Sequence, residues 1–184
     1  MKSTLLDGRL RLNAAVFHEE YSDQQSSQAI ATPPFRVTTN IPELNFDGLE
    51  VETSAVLGAG FDASIGVGYI EPDGEMPANI SRYSVNLAIN QRTQIAPDWE
   101  WTSRADYRQT GSYSSVLGDT SYTIAASDEV NLSTSLTHDR WSAGLFVKNV
   151  FDHRQASAIG AVGPTLMRMV NMPRSYYLEL SYRY

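Results

Sequence analysis

The 184-residue chain contains no cysteine, which excludes a disulfide framework and any thiolate metal site. Cationic residues are few, with 14 Lys and Arg against 21 Asp and Glu, so the formal net charge is −7. This balance argues against nucleic-acid binding and against a basic peripheral membrane protein. No stretch approaches the roughly 18 consecutive apolar residues of a transmembrane helix. No long window has the helical periodicity of about 3.6 residues, so the sequence predicts an all-β protein.

Strict alternation of apolar and polar residues is the strongest signal that is present. In a strand, successive side chains point to opposite faces, so alternation predicts one apolar and one polar face. Residues 176–184 alternate without a fault to the last residue, a length that suits a tilted membrane-spanning strand of roughly 9–11 residues. Their apolar face carries Tyr176, Leu178, Leu180, Tyr182 and Tyr184.

Seven further segments alternate in the same way, giving about eight predicted strands. They lie near residues 9–21, 48–57, 61–69, 83–90, 99–108, 129–136 and 141–151. Short connections near residues 58–60, 96–98 and 138–140 alternate with long ones near 22–40, 71–81, 111–127 and 152–172. We expect the middle of residues 22–40 to be a polar loop, with residues 35–38 extending the next strand.

Aromatic residues recur at two levels of the predicted sheet, as in the girdles of outer-membrane barrels. One level contains Phe61, Trp99, Trp141, Tyr182 and Tyr184, and the other contains Tyr69, Tyr83, Tyr107, Phe151 and Tyr176. Charges fall on the opposite face: Glu50, Glu52, Asp62, Glu100, Arg104, Asp106, Arg108, Glu129, Lys148, Glu179 and Arg183. The competing interpretation is a soluble sandwich, in which Leu87, Leu132, Leu145 and Leu180 would converge on a dry core between two layers.

Four stretches, in this order, resemble the C-terminal barrel of a TonB-dependent outer-membrane receptor. Residues 2–21 with Gln24 are similar to a recurrent turn and strand, and Asn40 with residues 48–52 to the next strand. The sequence Leu-Phe-Val-Lys-Asn-Val-Phe-Asp at 145–152 is similar to the penultimate strand. Pro173, Arg174 and the alternating end are similar to the last strand, although Tyr184 stands where that family usually has Phe.

The resemblance implies an antiparallel transmembrane β-barrel, with residues 1–184 forming the C-terminal segment of a 22-stranded barrel. It also implies uptake of a scarce nutrient, such as a ferric siderophore, across the outer membrane of a Gram-negative bacterium. The implied partners are outer-membrane lipid, the barrel assembly machinery at the last strand, the TonB energy-coupling complex and a metal chelate or similar ligand. We recognise no plug domain, energy-coupling box or signal peptide, and expect Met1 to mark a truncated reading frame or a fragment.

The sequence predicts no catalytic, cofactor-binding or metal-ligating residue, and it identifies no cofactor. His18, His138 and His153 lack metal-ligand spacing. Two alternatives remain: a self-contained eight-stranded barrel with a structural or adhesive role, and an outer-membrane hydrolase that uses Asp152 and His153. Ligand-binding residues are unknown. The loop residues that could meet an anionic or aromatic ligand, and could equally be solvated loop residues, are Arg108, Tyr113, Tyr122, His153, Arg154 and Arg168.

Overall fold

The computed structural model describes residues 1–29, 36–74, 76–116, 122–162 and 165–184. Thirteen β-strands make up the regular structure of these residues. Within the same ranges, no helix is long and apolar enough to cross a membrane.

Nine strands form one antiparallel sheet in the order β1-β2-β3-β4-β5-β6-β9-β10-β13. Two small hairpins, β7–β8 and β11–β12, lie in the long connections. The bounds are β1 Lys2–Leu5, β2 Leu10–Ala29, β3 Arg36–Gly58, β4 Phe61–Pro72, β5 Tyr83–Ala96, β6 Trp99–Thr110, β7 Tyr113–Ser114, β8 Thr123–Ile124, β9 Ser127–His138, β10 Trp141–Lys148, β11 Ala156–Val162, β12 Thr165–Val170 and β13 Ser175–Tyr182.

All eight predicted strands are present in the large sheet, so the all-β antiparallel fold class is confirmed. β1 is an additional short strand that the sequence analysis missed. The segment predicted to reach Phe151 leaves the sheet after Lys148, and the last strand ends at Tyr182 rather than at the final residue. Among the described residues, the edge strands β1 and β13 pair only with β2 and β10, so the sheet is open.

The prediction of a polar loop within residues 22–40 is wrong for the part of it that is described. Ser22 to Ala29 pair with Glu43 to Arg36, and the two strands form a long ribbon above the rest of the sheet. A ribbon with water on both faces needs no apolar alternation, because its backbone hydrogen bonds hold it together. One pair, Asp23 with Pro42, is missing from the β2–β3 ladder. Proline has no N–H to donate, and Asp23 has a φ of +55°. Residues 36–38 extend β3 as predicted, and residues 30–35 lie outside the described ranges.

The predicted short connection near residues 58–60 is the turn between β3 and β4, and it depends on its two glycines. Gly58 and Gly60 have φ values of +95° and +81°, which glycine adopts without steric cost. A Cβ at Gly60 would also collide with the carbonyl oxygen of Arg92 on β5. This turn therefore requires glycine for close approach as well as for backbone conformation.

The apolar side of the sheet is open rather than packed against a second layer. Leu87, Leu132, Leu145 and Leu180 keep 37%, 43%, 45% and 71% of their surface exposed. The soluble-sandwich interpretation is therefore wrong, since it required these four leucines to form a dry core. We call this side the apolar face and the opposite side the polar face.

Buried apolar residues of the described chain lie mostly toward the loop end of the sheet. They are Leu44, Phe46, Ala88, Ile124 and Ile159. Leu44 and Phe46 lie on β3 just below the ribbon, where the ring of Tyr21 packs edge-on against Phe46 with 6.1 Å between ring centres. The packed interior therefore sits at the loop end, and it holds the long connections in place.

Hydrogen-bond register places the aromatic residues in two parallel rows on the apolar face. Trp99, His138, Trp141 and Tyr182 are successive partners in the lower row. In the upper row Tyr69 pairs with Tyr83.

Both rows step down by the same amount between β4 and β6. Phe61 of β4 pairs with Gln91 of β5, and Gln91 pairs with Ser103 of β6. Ser103 lies four residues above Trp99 along β6. Tyr83 accepts from the backbone of Gly111, which is four residues above Tyr107. The two rows therefore stay at constant separation while the strands tilt, as expected for a membrane-spanning sheet.

We predict that this chain alone is poorly stable in detergent, because both sheet edges expose unpaired backbone groups. Heating should give a broad loss of β-sheet circular dichroism, and gel mobility should not depend on boiling. A sharp, reversible unfolding transition with heat-modifiable gel mobility would contradict this prediction.

Candidate functional site

A polar cavity of about 350 Å³ lies at the loop end of the sheet. β6 and β9 stay paired up to Thr110, the last residue of β6, and Ser127, the first residue of β9, and the pocket lies beside this upper end of the pair. We call it the loop-end pocket. Its lining residues are Asn79, Ser81, Arg108, Thr110, Tyr113, Ser127, Asp128, Glu129, Gln155, Ala156, Ser157 and Asn171.

Arg108 provides an uncommitted positive charge in this pocket. It lies directly opposite Glu129 in the β6–β9 register, yet no hydrogen bond or ion pair engages its guanidinium among the described residues. Glu129 instead accepts from the Asn131 amide at 2.8 Å. Such an arginine can offer a planar set of N–H donors to a carboxylate or another anionic oxygen.

The wall of the pocket is held by the two small hairpins. The Tyr113 hydroxyl donates to the Ser157 carbonyl at 2.9 Å, and the Ile159 N–H donates to Ser115 Oγ at 3.1 Å. Ile124 and Ile159, on β8 and β11, are 2% and 6% exposed. Apolar burial and these hydrogen bonds therefore fix the position of the hairpins over the strands.

Asn149 fixes the start of the long connection that carries β11 and β12. Its side chain is 3% exposed, and its φ is +50°, which asparagine tolerates better than most residues. The side-chain amide donates to the carbonyls of His153 and Met172 at 3.1 and 3.0 Å, while Oδ1 accepts from the His153 N–H at 3.0 Å. Its own N–H donates to Asn131 Oδ1 at 2.9 Å. One buried side chain thus joins both ends of the connection.

Asp152 and His153, the pair behind the hydrolase alternative, do not act on one another. Hydrogen bonds from the Arg174 backbone N–H and from Arg154 Nε hold the pKa of the Asp152 carboxyl below its usual value. His153 Nδ1 faces Asp128 at 3.5 Å instead. Asp152 therefore anchors the start of β13, and the structure does not assemble the dyad that the sequence suggested.

Two of the six loop residues predicted as ligand contacts, Arg108 and Tyr113, line the pocket, and His153 borders it through Asp128. Arg154 is paired with Asp152, and Arg168 is exposed on β12. Tyr122 precedes β8, where its carbonyl accepts from the Ser115 N–H at 3.0 Å. Sequence spacing could not reveal this grouping, because it depends on how the hairpins fold back over β6 and β9.

The three histidines lie in different parts of the structure and make different contacts. His18 Nδ1, on β2 below the ribbon, lies 2.9 Å from Asp47 Oδ1, and His18 Nε2 lies 3.3 Å from Glu20 Oε1. His138 stacks on Trp99 with 4.4 Å between ring centres. Within the part of the chain that is described, no three His, Cys, Asp or Glu residues are grouped as metal ligands.

Several polar-face residues below the pocket form one network. Arg104 Nε donates to Asp106 at 2.9 Å, and Arg104 Nη1 donates to Asn90 at 2.8 Å. Asn90 in turn donates to Asp62 at 2.7 Å. This network crosses three strands and is suited to a wet interior, because buried charges without partners are costly.

A profile of the family described as TonB dependent receptor-like, beta-barrel, matches residues 1–150. The chain belongs to this TonB-dependent receptor family. The resemblance found in the sequence is thereby confirmed. Members of the family, and the proteins of similar solved structure, are transport receptors rather than enzymes. They are found in the outer membrane of Gram-negative bacteria.

Solved structures with the same fold include three iron-uptake receptors. The ferric yersiniabactin uptake receptor FyuA from Yersinia pestis gives a TM-score of 0.80 at 18% identity, over 95% of this chain and 27% of that one. The ferripyoverdine receptor of Pseudomonas aeruginosa gives 0.73 at 19%, over 98% and 26%. The ferric-catecholate import receptor Fiu from E. coli gives 0.68 at 16%, over 98% and 24%.

This TonB-dependent receptor chain spans about a quarter of the length of the receptors it matches. A search of curated proteins gave no match. Because these identities are low, the similarity establishes the fold of this chain and leaves its ligand to be argued from the residues.

We predict that Asn149→Gly loosens the connection between β10 and β13. Glycine keeps the positive φ but removes the side-chain bonds, leaving buried backbone groups unpaired at a cost of about 1–3 kcal/mol. Hydrogen exchange at the His153 amide should accelerate, and limited proteolysis should cut residues 153–172 sooner. Asn149→Ala should be at least as damaging, since it adds backbone strain. Unchanged protection in Asn149→Gly would show that the amide does not hold the connection.

We also predict a pH-dependent contact between β2 and β3, two register steps above the upper aromatic row. Hydrogen bonds from the His18 ring to the carboxylate of Asp47, and secondly to that of Glu20, raise the pKa of His18 above its ordinary 6.5. The contact is therefore fully present below about pH 6.5 and is lost as pH rises through the raised value. An NMR titration of the His18 ring should give a lower midpoint in Asp47→Asn than in the unmodified protein. Equal midpoints would contradict the pairing.

Proposed function

We propose that this chain forms barrel wall and outer loops of an outer-membrane receptor that imports a ferric siderophore or a similar metal chelate. The observation that carries the proposal is a single sheet with an open apolar face, a charged polar face and a polar pocket at the loop end. Family membership supports the receptor role. The names of the similar structures, which are uptake receptors for iron chelates, support the substrate class.

The loop-end pocket supplies the contacts that such a ligand needs. A ferric chelate presents anionic oxygens, and Arg108 offers them an uncommitted guanidinium. Amides and hydroxyls around it, including Asn79, Ser81 and Gln155, can donate to or accept from a polar ligand. Hydrogen bonds fix the backbone at two of these residues: the Asn79 N–H donates to the Ser114 carbonyl at 2.7 Å, and the Gln155 N–H donates to Asn171 Oδ1 at 2.9 Å. Less conformational entropy is therefore lost when the ligand binds.

The remaining partners follow from the same assignment. Residues 1–184 act as a C-terminal barrel segment, its apolar face in outer-membrane lipid and β13 available to the barrel assembly machinery. The complete receptor would draw energy from the TonB complex of a Gram-negative cell. The polar face would look into the barrel interior, where its paired charges meet water or protein.

Uptake is tested in the native host by deleting the gene and restoring it as wild type or as Arg108→Gln. Under iron limitation, the deletion should abolish growth on at least one of ferric yersiniabactin, ferripyoverdine or a ferric catecholate. Wild type should restore growth, and Arg108→Gln should restore it at higher chelate concentrations only. Equal growth of the deletion and wild-type strains on all three chelates would contradict the substrate class.

Membrane placement is tested by single-cysteine labelling, which is unambiguous because the chain has no cysteine of its own. With a membrane-impermeant maleimide on intact cells, Gln25→Cys on the ribbon should react. Arg140→Cys, at a short turn, should react only after the outer membrane is permeabilised. Leu132→Cys, on the apolar face, should react only after denaturation. Labelling of Leu132→Cys in intact cells would refute the placement.

A further inference from the structure

One amide on the apolar face lacks a hydrogen-bond partner. Gln91 lies on this face because it is the register partner of Phe61 on β4 and of Ser103 on β6. Its Nε2 donates to Thr93 Oγ1, but its buried Oε1 has no partner among the described residues. An unpaired polar atom on a surface that meets hydrocarbon is costly, so this atom calls for a donor from outside the sheet.

The neighbouring polar groups on the same face bond to one another. Thr134 Oγ1 accepts from Trp101 Nε1 at 2.7 Å and lies 3.0 Å from Ser103 Oγ. It also donates to the Thr102 carbonyl at 3.1 Å. These groups form a closed network of their own, and the unmet hydrogen-bonding capacity beside them is that of Gln91.

An apolar groove of about 450 Å³ adjoins Gln91 on the side toward the loop end. Ser103 and Ala105 are small, whereas their register partners on β5 and β9 are larger, so these two side chains form the floor of the groove. The walls include Ile89, Leu132, Leu145 and Val147. An apolar groove with a polar atom at one end fits an amphiphile, such as a phospholipid with one acyl chain in the groove.

Additional strands would not cover this groove. Its floor lies on β6, the sixth of the nine strands in the described sheet, and new strands can pair only at the outer edges of that sheet. They would widen the sheet and leave its apolar face open. The occupant therefore comes from whatever meets that face, which is membrane lipid under the proposed function.

The position of Gln91 and the charge below it indicate the kind of headgroup. Its register partner Phe61 belongs to the lower aromatic row, which marks a membrane interface. The short turns that follow β5 and β9 carry two carboxylates, Asp98 and Asp139, and one guanidinium, Arg140. This balance favours a headgroup with an ammonium group, which also supplies N–H donors, over a purely anionic headgroup.

We propose that the groove holds one phospholipid whose headgroup carries a primary ammonium group. One acyl chain lies over Ser103 and Ala105, and the ammonium group donates to Gln91 Oε1. The inference rests on the membrane placement in the proposed function and not on the identity of the imported ligand.

Two substitutions separate the headgroup contact from the acyl-chain contact. Gln91→Met keeps a side chain of similar length but removes the acceptor, and Ala105→Phe fills the floor of the groove with a ring. Gln109→Met is the matched control, because Gln109 lies on the same face near the upper end of β6, opposite Val85. Circular dichroism checks that each variant is folded.

The protein is extracted with a mild detergent from host membranes, in the form in which the host makes it, and its bound lipid is measured by native mass spectrometry. Wild type and Gln109→Met should each retain one phospholipid per chain. Gln91→Met should hold the lipid about fivefold more weakly, as expected for the loss of one hydrogen bond. Ala105→Phe should lose it.

A headgroup comparison uses wild type alone, so it does not depend on the folding of a variant. After removal of the bound lipid, phosphatidylethanolamine should refill the groove. Phosphatidylcholine, which has no N–H donor, and anionic phosphatidylglycerol should not.

The proposal is overturned if wild type retains no phospholipid, or if Gln91→Met and Ala105→Phe both retain it as tightly as wild type. It is equally overturned if phosphatidylcholine or phosphatidylglycerol refills the groove as well as phosphatidylethanolamine does. These results leave chelate uptake and membrane placement standing, because growth and cysteine labelling test those separately.

Discussion

Backbone N–H and C=O groups that enter a hydrocarbon layer must find their partners within the protein, because lipid offers none. From β3 to β10 each strand of the large sheet has a partner on both sides and meets this demand. Within the described residues, two edges do not meet it: β13 on one side, and on the other β1 together with the part of β2 that extends above β1. An edge strand in lipid requires a neighbour, so the stability of this sheet depends on strands that pair with both edges.

Because the backbone hydrogen bonds are made within the sheet, the side chains on each face determine whether that face is suited to lipid or to water. The apolar face carries leucines between two aromatic rows, and the polar face carries the network from Asp62 to Asp106. Packing of the usual kind is confined to the loop end, where Ile124 and Ile159 are buried. A sheet anchored in lipid therefore needs no second layer, and its binding chemistry collects where the connections pack on one another.

The spanning strands could be predicted from the sequence because alternation directly encodes two faces. The ribbon could not, since residues such as Gln24 and Gln25 have water on both sides and leave no alternation to detect. The loop-end pocket was predicted only in part: Arg108 and Tyr113 were identified as candidates, but their grouping with Asp128 and Gln155 depends on hairpins folded back over β6 and β9. The buried role of Asn149 was missed, although its position after a strand and before Phe151 and Asp152 drew attention to the motif.

Contact between the apolar face and hydrocarbon is the central claim, and the protein carries its own probes for it. All three tryptophans of the sequence, Trp99, Trp101 and Trp141, lie on that face at or near the lower aromatic row. Their fluorescence in vesicles should be quenched by phospholipids brominated on the acyl chains and should resist aqueous iodide. Strong iodide quenching with no effect of brominated lipid would place this face in water and contradict the account.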